Sequence, residues 1–509
     1  MLFNSYIFIL CFLPITLIGY FALQHFGRDQ AAKVYLLIMS LWFYGYFNYY
    51  YLAIICSSIA VNYILSRCMI RSEKGGAGGK NKFLILGIIF NVGLIFYFKY
   101  FDFFLWNMNL VFGTDFVLKN IVLPLGISFF TFQQISFIAD TCKGETKDYS
   151  FLEYALFVAF FPQLVAGPIV MHSELIPQFR DKNKRKADFD NISRGIMMFS
   201  RGLAKKVLIA DTFAKAVDWG FDKAAIFSTG EDALAFYEVL IVMLSYTFQI
   251  YFDFSGYSDM ATGLGAMFNF DIPMNFNSPY KALSVADFWK RWHMTLTRFL
   301  TRYIYIPLGG NRKGRARTYL NIMIVFLISG IWHGANWTFI LWGVIHGLGQ
   351  CFNRAFGGLY AKMVNCLQKG SIGRIMLYPL KAVQWLITFA FVNITCLLFR
   401  ADSVKEWTDI LKRLSVPYYN IRKELLEAFR IPKLNQLLGL FGASIDDNAV
   451  LYIGMYAMMA FALIICLFFK NNYERRYEKN ALSLIFTWAL LFICVLSLSS
   501  VSVFLYFNF

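Results

Sequence analysis

The stretch S-G-I-W-H-G-A-N-W-T-F, Ser329–Phe339, lies inside an apolar run that opens at Tyr319-Leu320-Asn321-Ile322 and continues through Trp342-Gly343-Val344-Ile345. A bilayer is crossed by a helix of about 20 predominantly apolar residues, and this run is of that kind. Yet it carries His333, set between Trp332 and Gly334, with Asn336 three residues on. A polar side chain in hydrocarbon is unfavourable unless it is paired, wetted or used. One stretch thus decides the fold and poses the functional question.

Runs of similar length recur along all 509 residues. The chain is 58% hydrophobic, 19% aromatic and 16% charged, whereas a soluble domain is about 25% charged. These figures imply an all-α, polytopic transmembrane helical bundle. The alternating segments of about 10 residues that build a transmembrane β-barrel are not seen. The formal net charge is +17. Its Lys and Arg fall between apolar runs, as the positive-inside rule has it for cytoplasmic loops. No basic soluble module is present, so nucleic acid is not an expected partner. The nine cysteines form no C-x-x-C pair and mostly sit in apolar runs, which reads as buried structural thiols. The N-terminal run has no basic segment before it and reads as a retained first span.

Spans are expected over about 5–23, 34–47, 50–65 and 83–100, with a glycine-rich basic loop, Arg67 to Lys82, before the last of these. Residues 121–139 are less regular. Pro124 and Gly126 break the start, and Ser128, Thr131, Gln133 and Gln134 suit a helix that faces the protein interior or a cavity. A span over 152–170 is interrupted by Pro162 and Gly167-Pro168. The basic segment 180–206 suits a cytoplasmic loop with an interfacial helix. A run over 236–252 leads into Y-F-D-F-S-G-Y-S-D-M-A-T-G-L-G, residues 251–265. Residues 275–318 are too charged to face lipid and suggest short or re-entrant helices. Further spans cover 319–348, 380–399, 450–469 and 482–505, with a polar insert at 400–447, giving about eleven spans in one transmembrane domain.

The polar residues need accounts of their own. His25 and His172 lie near span ends, where an interfacial role suffices, and His346 suits a hydrogen-bonded packing role. His333 and His293, the latter in W-K-R-W-H, are open between structural and functional roles. In a helix, Asn336 lies on the same face as His333. Asp253 and Asp259 fit either a proton relay or helix-end charges paired with an Arg from 287–317. No H-x-x-x-H or H-E-x-x-H occurs, so no metal site is expected. G-x-S-x-G is also absent, and G-G-N-R-K-G at 309–314 is not a Walker A loop.

Six motifs occur in order: G-I-S-F-F-T-F-Q (126–133), F-F-P-Q-L-V-A-G-P-I (160–169), the segment at 251–265, F-W-K-R-W-H-M-T-L (288–296), Y-I-P-L-G-G-N-R-K-G (305–314) and G-I-W-H-G-A-N-W-T-F-I-L-W-G (330–343). Together they resemble the membrane-bound O-acyltransferase family, in its alginate O-acetyltransferase-like bacterial branch. The likeness covers a motif-bearing core of about 1–354. It implies tilted helices around a membrane tunnel. It also implies two functional histidines, His333 at the family's near-invariant position and His293 at its second polar position. Where the family often has W-R-R-W-H, this chain has Lys290, which keeps the charge and loses the guanidinium fork.

On that resemblance, His333 would take or position the proton of an attacking hydroxyl near a thioester carbonyl, and His293 would orient the donor or stabilise the oxyanion. Trp332, Asn336, Arg291, Trp292, Asp253 and Gln133 become substrate-facing candidates. Charge alone assigns Arg312, Lys313 and Arg315 to the phosphates of acetyl-CoA, a donor substrate rather than a resident cofactor. The expected activity is O-acetylation of an extracytoplasmic polysaccharide, such as alginate or peptidoglycan, from a bacterial inner membrane. A periplasmic or surface SGNH-hydrolase-like acetyltransferase is the expected partner. D-alanyl transfer to teichoic acid and proton-coupled transport are the alternatives.

Overall fold

The structure, a computed structural model, describes residues 1–72, 77–146, 148–222, 233–431, 446–475, 480–498, 502, 504 and 505. Every regular element among them is helical. A π-helical turn, Phe8–Phe12, runs into α1 (Leu13–His25), which is followed by α2 (Asp29–Gly45) and α3 (Tyr50–Ser72). Next, α4 (Ala77–Ile95), a π-helical segment Phe96–Tyr100 and α5 (Phe101–Phe112) follow without a break. The glycine-rich loop expected at 67–82 is therefore largely helix, with residues 73–76 outside the described residues. Arg71 in the last turn of α3 suits the negative end of its dipole.

Six helices among the described residues are long and apolar enough to cross a membrane: Phe8–His25, Tyr50–Ser72, Gly79–Phe112, Phe236–Met267, Ser371–Arg400 and Asp447–Phe468. The chain is thus polytopic, but about eleven spans were expected, and the difference has local causes. Helix α2 has 17 residues and α6 (Ile127–Cys142) has 16. The run at 152–170 breaks into α7 (Phe151–Ala159) and α8 (Phe161–Leu164), because Pro162 starts a new helix there. Almost all of both is buried in protein.

Helix α6 lies inside, as its polar residues suggest, with Thr131, Gln133 and Gln134 buried. Its entry needs a glycine. Gly126 has φ +71°, and a Cβ there would lie 2.7 Å from the Leu164 carbonyl oxygen.

The centre of the bundle is a seam between α10 (Phe189–Ala204), which follows α9 (His172–Arg180), and α12 (Phe236–Met267), which follows α11 (Asp211–Asp222). Two glycine pairs let the backbones touch. A Cβ on Gly195 would lie 2.5 Å from the Gly263 carbonyl oxygen, and one on Gly202 would lie 2.6 Å from that of Gly256. Small residues that admit close backbone approach are the usual device for helix pairing in membranes. The 251–265 motif therefore contributes packing through its glycines.

Its aspartates are paired across the same seam, and the expected Arg partners from 287–317 are replaced by lysines. Asp253 accepts from Lys206 at 2.7 Å and Asp259 from Lys205 at 2.7 Å. The tail closes on this seam too. The Leu505 amide donates to Asp253 at 3.0 Å, and the Asn4 amide group donates to the Ser502 carbonyl at 2.9 Å.

Residues 285–305 form short helices, as their charge suggests: α13 (Val285–Arg291), α14 (Met294–Leu300) and a π-helical turn, Thr301–Tyr305. Two long helices follow, α15 (Arg315–His333) and α16 (Trp337–Gln368), then α17 (Ser371–Arg400). The insert at 400–447 contains α18 (Val404–Arg413) and α19 (Lys423–Glu427), and its residues 432–445 lie outside the described residues. The chain continues in α20 (Asp447–Phe468) and α21 (Ala481–Leu496). Only Cys396, Cys466 and Cys494 are buried, so the expectation of buried thiols fails at Cys11, Cys56 and Cys366, which are exposed on apolar helices.

Candidate functional site

Gly334 divides the opening stretch. Helix α15 ends at His333, Gly334 is extended (φ −170°, ψ 159°), and Asn336 is the N-cap of α16, accepting from the Thr338 amide at 3.1 Å. Asn336 therefore does not share a helical face with His333. Its side chain turns away and donates to the Asp402 carbonyl at 2.8 Å. The two helices pack tightly because Gly330 faces the Phe339 carbonyl and Gly343 the Phe326 carbonyl, with no room for a Cβ at either.

His333 is 3% exposed and sits in an aromatic box. Its ring centroid is 5.2 Å from that of Trp342 and 5.1 Å from that of Phe399, both edge-on. It lines a narrow cavity together with Trp292, Phe288, Trp342, His346 and Phe399. The space suffices for about one water molecule. His346, expected to be a packing histidine, takes a hydrogen bond from Trp289 Nε1 at 3.1 Å on its Nδ1. That bond puts its proton on Nε2.

His293 is fully buried and caps α14 with φ 45° and ψ 51°. A left-handed backbone is uncommon for a residue other than glycine, and such strain gathers at functional sites. The conformation is held by residues 275–277, which run beside 291–294: Met294 N donates to the Asn275 carbonyl at 2.9 Å and Asn277 N to the Arg291 carbonyl at 2.8 Å. The Asn275 Oδ1 accepts from Thr295 N at 3.2 Å, from Thr295 Oγ1 at 2.9 Å and contacts His293 Nδ1 at 3.1 Å. An oxygen already accepting from an amide N–H must be the acceptor for the imidazole as well. The proton of His293 is thus on Nδ1, and Nε2 is the basic nitrogen. Asn275 is the orienting residue that motif reading missed. Asn275→Ala is expected to lower kcat/KM for acyl transfer by about 10-fold or more, since loss of an orienting partner typically has that effect. Rates in purified membranes at matched protein level would check it.

Trp332 stands between the two histidines. Its ring is 6.0 Å from His293 and 4.9 Å from His333, and it stacks on Phe132 of α6 at 5.2 Å. His333, His293, Trp332 and Trp292 therefore come together. The other candidates lie apart from them. Arg291 is paired with Asp287 at 2.9 Å. Asp253 is held by Lys206 and the Leu505 amide. Gln133 is buried next to Phe132, and its Oε1 has no hydrogen-bond partner among the described residues. Arg312, Lys313 and Arg315 are exposed at the opposite end of α15 from His333. A 19-residue helix separates them by roughly 27 Å.

His172 is also misplaced by its sequence position. It is buried, not interfacial, and bridges Asp140 Oδ2 at 3.1 Å and the Tyr149 hydroxyl at 3.3 Å. Arg302 and Tyr303 meet the same Asp140 oxygen at 3.2 and 2.7 Å, which ties the π-helical turn Thr301–Tyr305 to α6. No three His, Cys, Asp or Glu side chains among the described residues are grouped to hold a metal ion.

Comparison with known proteins places this geometry in context. The family model described as "MBOAT, membrane-bound O-acyltransferase family" matches residues 133–401, which include both histidines. A peptidoglycan O-acetyltransferase of Helicobacter pylori is 41% identical over 100% of this chain and 98% of its own length. A probable alginate O-acetylase AlgI of Pseudomonas aeruginosa is 38% identical over 80% of this chain and 73% of its own. A teichoic acid D-alanyltransferase of Streptococcus thermophilus is 27% identical over 54% of this chain and 68% of its own. A family match across more than half of the chain, joined to a relative aligned along its whole length, shows that this multi-pass protein belongs to the membrane-bound O-acyltransferase family.

Proposed function

We propose that this enzyme takes the acetyl group of cytoplasmic acetyl-CoA and passes it at His333 toward the other face of a bacterial inner membrane, for O-acetylation of peptidoglycan. The carrying observation is the end-to-end similarity to a peptidoglycan O-acetyltransferase. The burial and neighbours of the two histidines support the following chemistry. An acceptor hydroxyl oxygen attacks the thioester carbonyl while the His333 imidazole takes its proton. The carbon–sulfur bond breaks, and the leaving thiolate of coenzyme A recovers the proton from the imidazolium. His293, with Nε2 basic and Nδ1 fixed by Asn275, positions the thioester.

Topology follows from charge. The start of α15 is rich in Arg and Lys, at Arg312, Lys313, Arg315 and Arg317, and so lies on the cytoplasmic side. These cations meet the phosphates of the donor. His333 at the far end then faces an acceptor on the opposite side. The passage between them is the membrane tunnel that re-entrant helices α13 and α14 help to line. The cavity at His333 is narrow, so on this reading an acyl group enters only when lining rings such as Trp292, Phe288 and Phe399 shift. The immediate acceptor is the sugar hydroxyl itself or the serine of an SGNH-hydrolase-like periplasmic partner.

Radiolabelled acetyl-CoA presented to the cytoplasmic face of membranes tests this reading. Membranes with the protein should transfer base-labile label to muropeptides, and membranes without it should not. Label accepted from a D-alanyl carrier protein instead would replace the acetyl reading by D-alanyl transfer. No transfer from either donor would refute both.

A further inference from the structure

The carbonyl end of α15 is closed in an unusual way. The last carbonyls of a helix have no partner within it and are commonly satisfied by a left-handed glycine cap. Gly334 is extended, so that closure is not made. The carbonyls are met instead from the rod that begins with α4. Lys99 Nζ donates to the Trp332 carbonyl at 2.7 Å and to the His333 carbonyl at 2.9 Å. The Tyr100 hydroxyl donates to the Ile331 carbonyl. Consecutive carbonyls of the last turn are thus held by consecutive side chains.

The π-helical segment Phe96–Tyr100 makes this possible. Its i→i+5 bonding widens the turn, so neighbouring residues are separated by less rotation than in an α-helix and both can reach one partner. Lysine has a strong reason to be there only if it is satisfied. The rod Gly79–Phe112 is a candidate membrane span with 11% of its apolar window buried, and an ammonium on such a helix is unfavourable unless it turns inward to acceptors. A cation at a helix C-terminus also meets the negative end of the dipole.

We propose that Lys99 is a positioning residue for acyl transfer. Its ammonium fixes the backbone of Trp332 and His333, and through it the direction of the His333 imidazole in the cavity. Tyr100 assists by holding Ile331. The proposal rests on the acyl-transfer reading of His333, and the two can fail separately.

The test compares Lys99→Met, Lys99→Arg and Tyr100→Phe with the unaltered protein in purified membranes, using acetyl-CoA as donor. Lys99→Met keeps the length of the side chain and removes the donor. It should lower kcat by about 10- to 100-fold with KM for acetyl-CoA nearly unchanged, the range that a misplacement of about 1 Å produces. Lys99→Arg, which can still donate to both carbonyls, should recover most of kcat. Tyr100→Phe should lower kcat by a few-fold, again at constant KM. Should Lys99→Met not reach the membrane, the Tyr100→Phe and Lys99→Arg pair decides. If kcat is unchanged in Lys99→Met, or in Tyr100→Phe when that pair decides, positioning is overturned. If Lys99→Arg is as inactive as Lys99→Met, or if kcat falls only in proportion to folded protein, the role is not positioning. If replacing His333 itself leaves transfer intact, the acyl-transfer reading fails first.

Discussion

Replacing His333 by alanine is expected to abolish polymer acetylation, lowering transfer by about 10²- to 10⁴-fold, the range that general acid–base catalysis supplies. The protein should still reach the membrane at its normal level. The side chain lies in a box of aromatic rings with a small cavity beside it, so its removal enlarges a space already present and leaves the helix pairing untouched. That pairing depends on Gly330 and Gly343, whose positions do not change. Base-labile acetate on isolated surface polymers, with an immunoblot of the membrane fraction, measures both quantities. Full acetate at normal protein level would remove His333 from the chemistry. Glutamine in its place is the sharper variant, because it fills the box and can donate or accept a hydrogen bond without taking a proton.

The second large effect concerns folding. Gly256→Leu should remove most of the protein from the membrane fraction, whereas a leucine at a lipid-facing position nearby should not. A Cβ at Gly256 would lie 2.7 Å from the Gly202 carbonyl oxygen, 3.2 Å from Lys205 Cβ and 3.3 Å from the Lys206 amide. Two of these are backbone atoms that cannot swing aside. Overpacking of a core typically costs about 1–3 kcal/mol. Here the displacement also pulls Lys206 from Asp253 and Lys205 from Asp259, and breaking a buried pair costs about 3–5 kcal/mol. The thermal midpoint of the detergent-solubilised protein, followed by size-exclusion fluorescence, would quantify the loss. A variant as stable as the parent would mean that the seam opens without resistance.

The helical class and the buried character of α6 were legible in the sequence, because they follow from apolar run length and from polar residues clustered on one segment. His333 and His293 stand out in the sequence for a different reason: each sits in a motif whose order along the chain carries the family. What escaped depends on contacts between distant segments. Asn275 lies 18 residues from His293, and Lys99 lies 234 residues from the His333 carbonyl it holds. No local spacing points to either. Asn336 was misjudged because one glycine ended the helix between it and His333. Asp253 and Asp259 found Lys206 and Lys205, which follow the end of α10 and which only the glycine seam brings within reach.

The meeting of the Asn4 side chain with the Ser502 carbonyl, and of the Leu505 amide with Asp253, sets an order on biogenesis. The first span enters the bilayer long before residues 502–505 leave the ribosome. Until then Asp253 and Asn4 lack those partners. These two contacts between distant parts of the chain are therefore among the last to form, after the segments that carry Asn4 and Asp253 are in the bilayer.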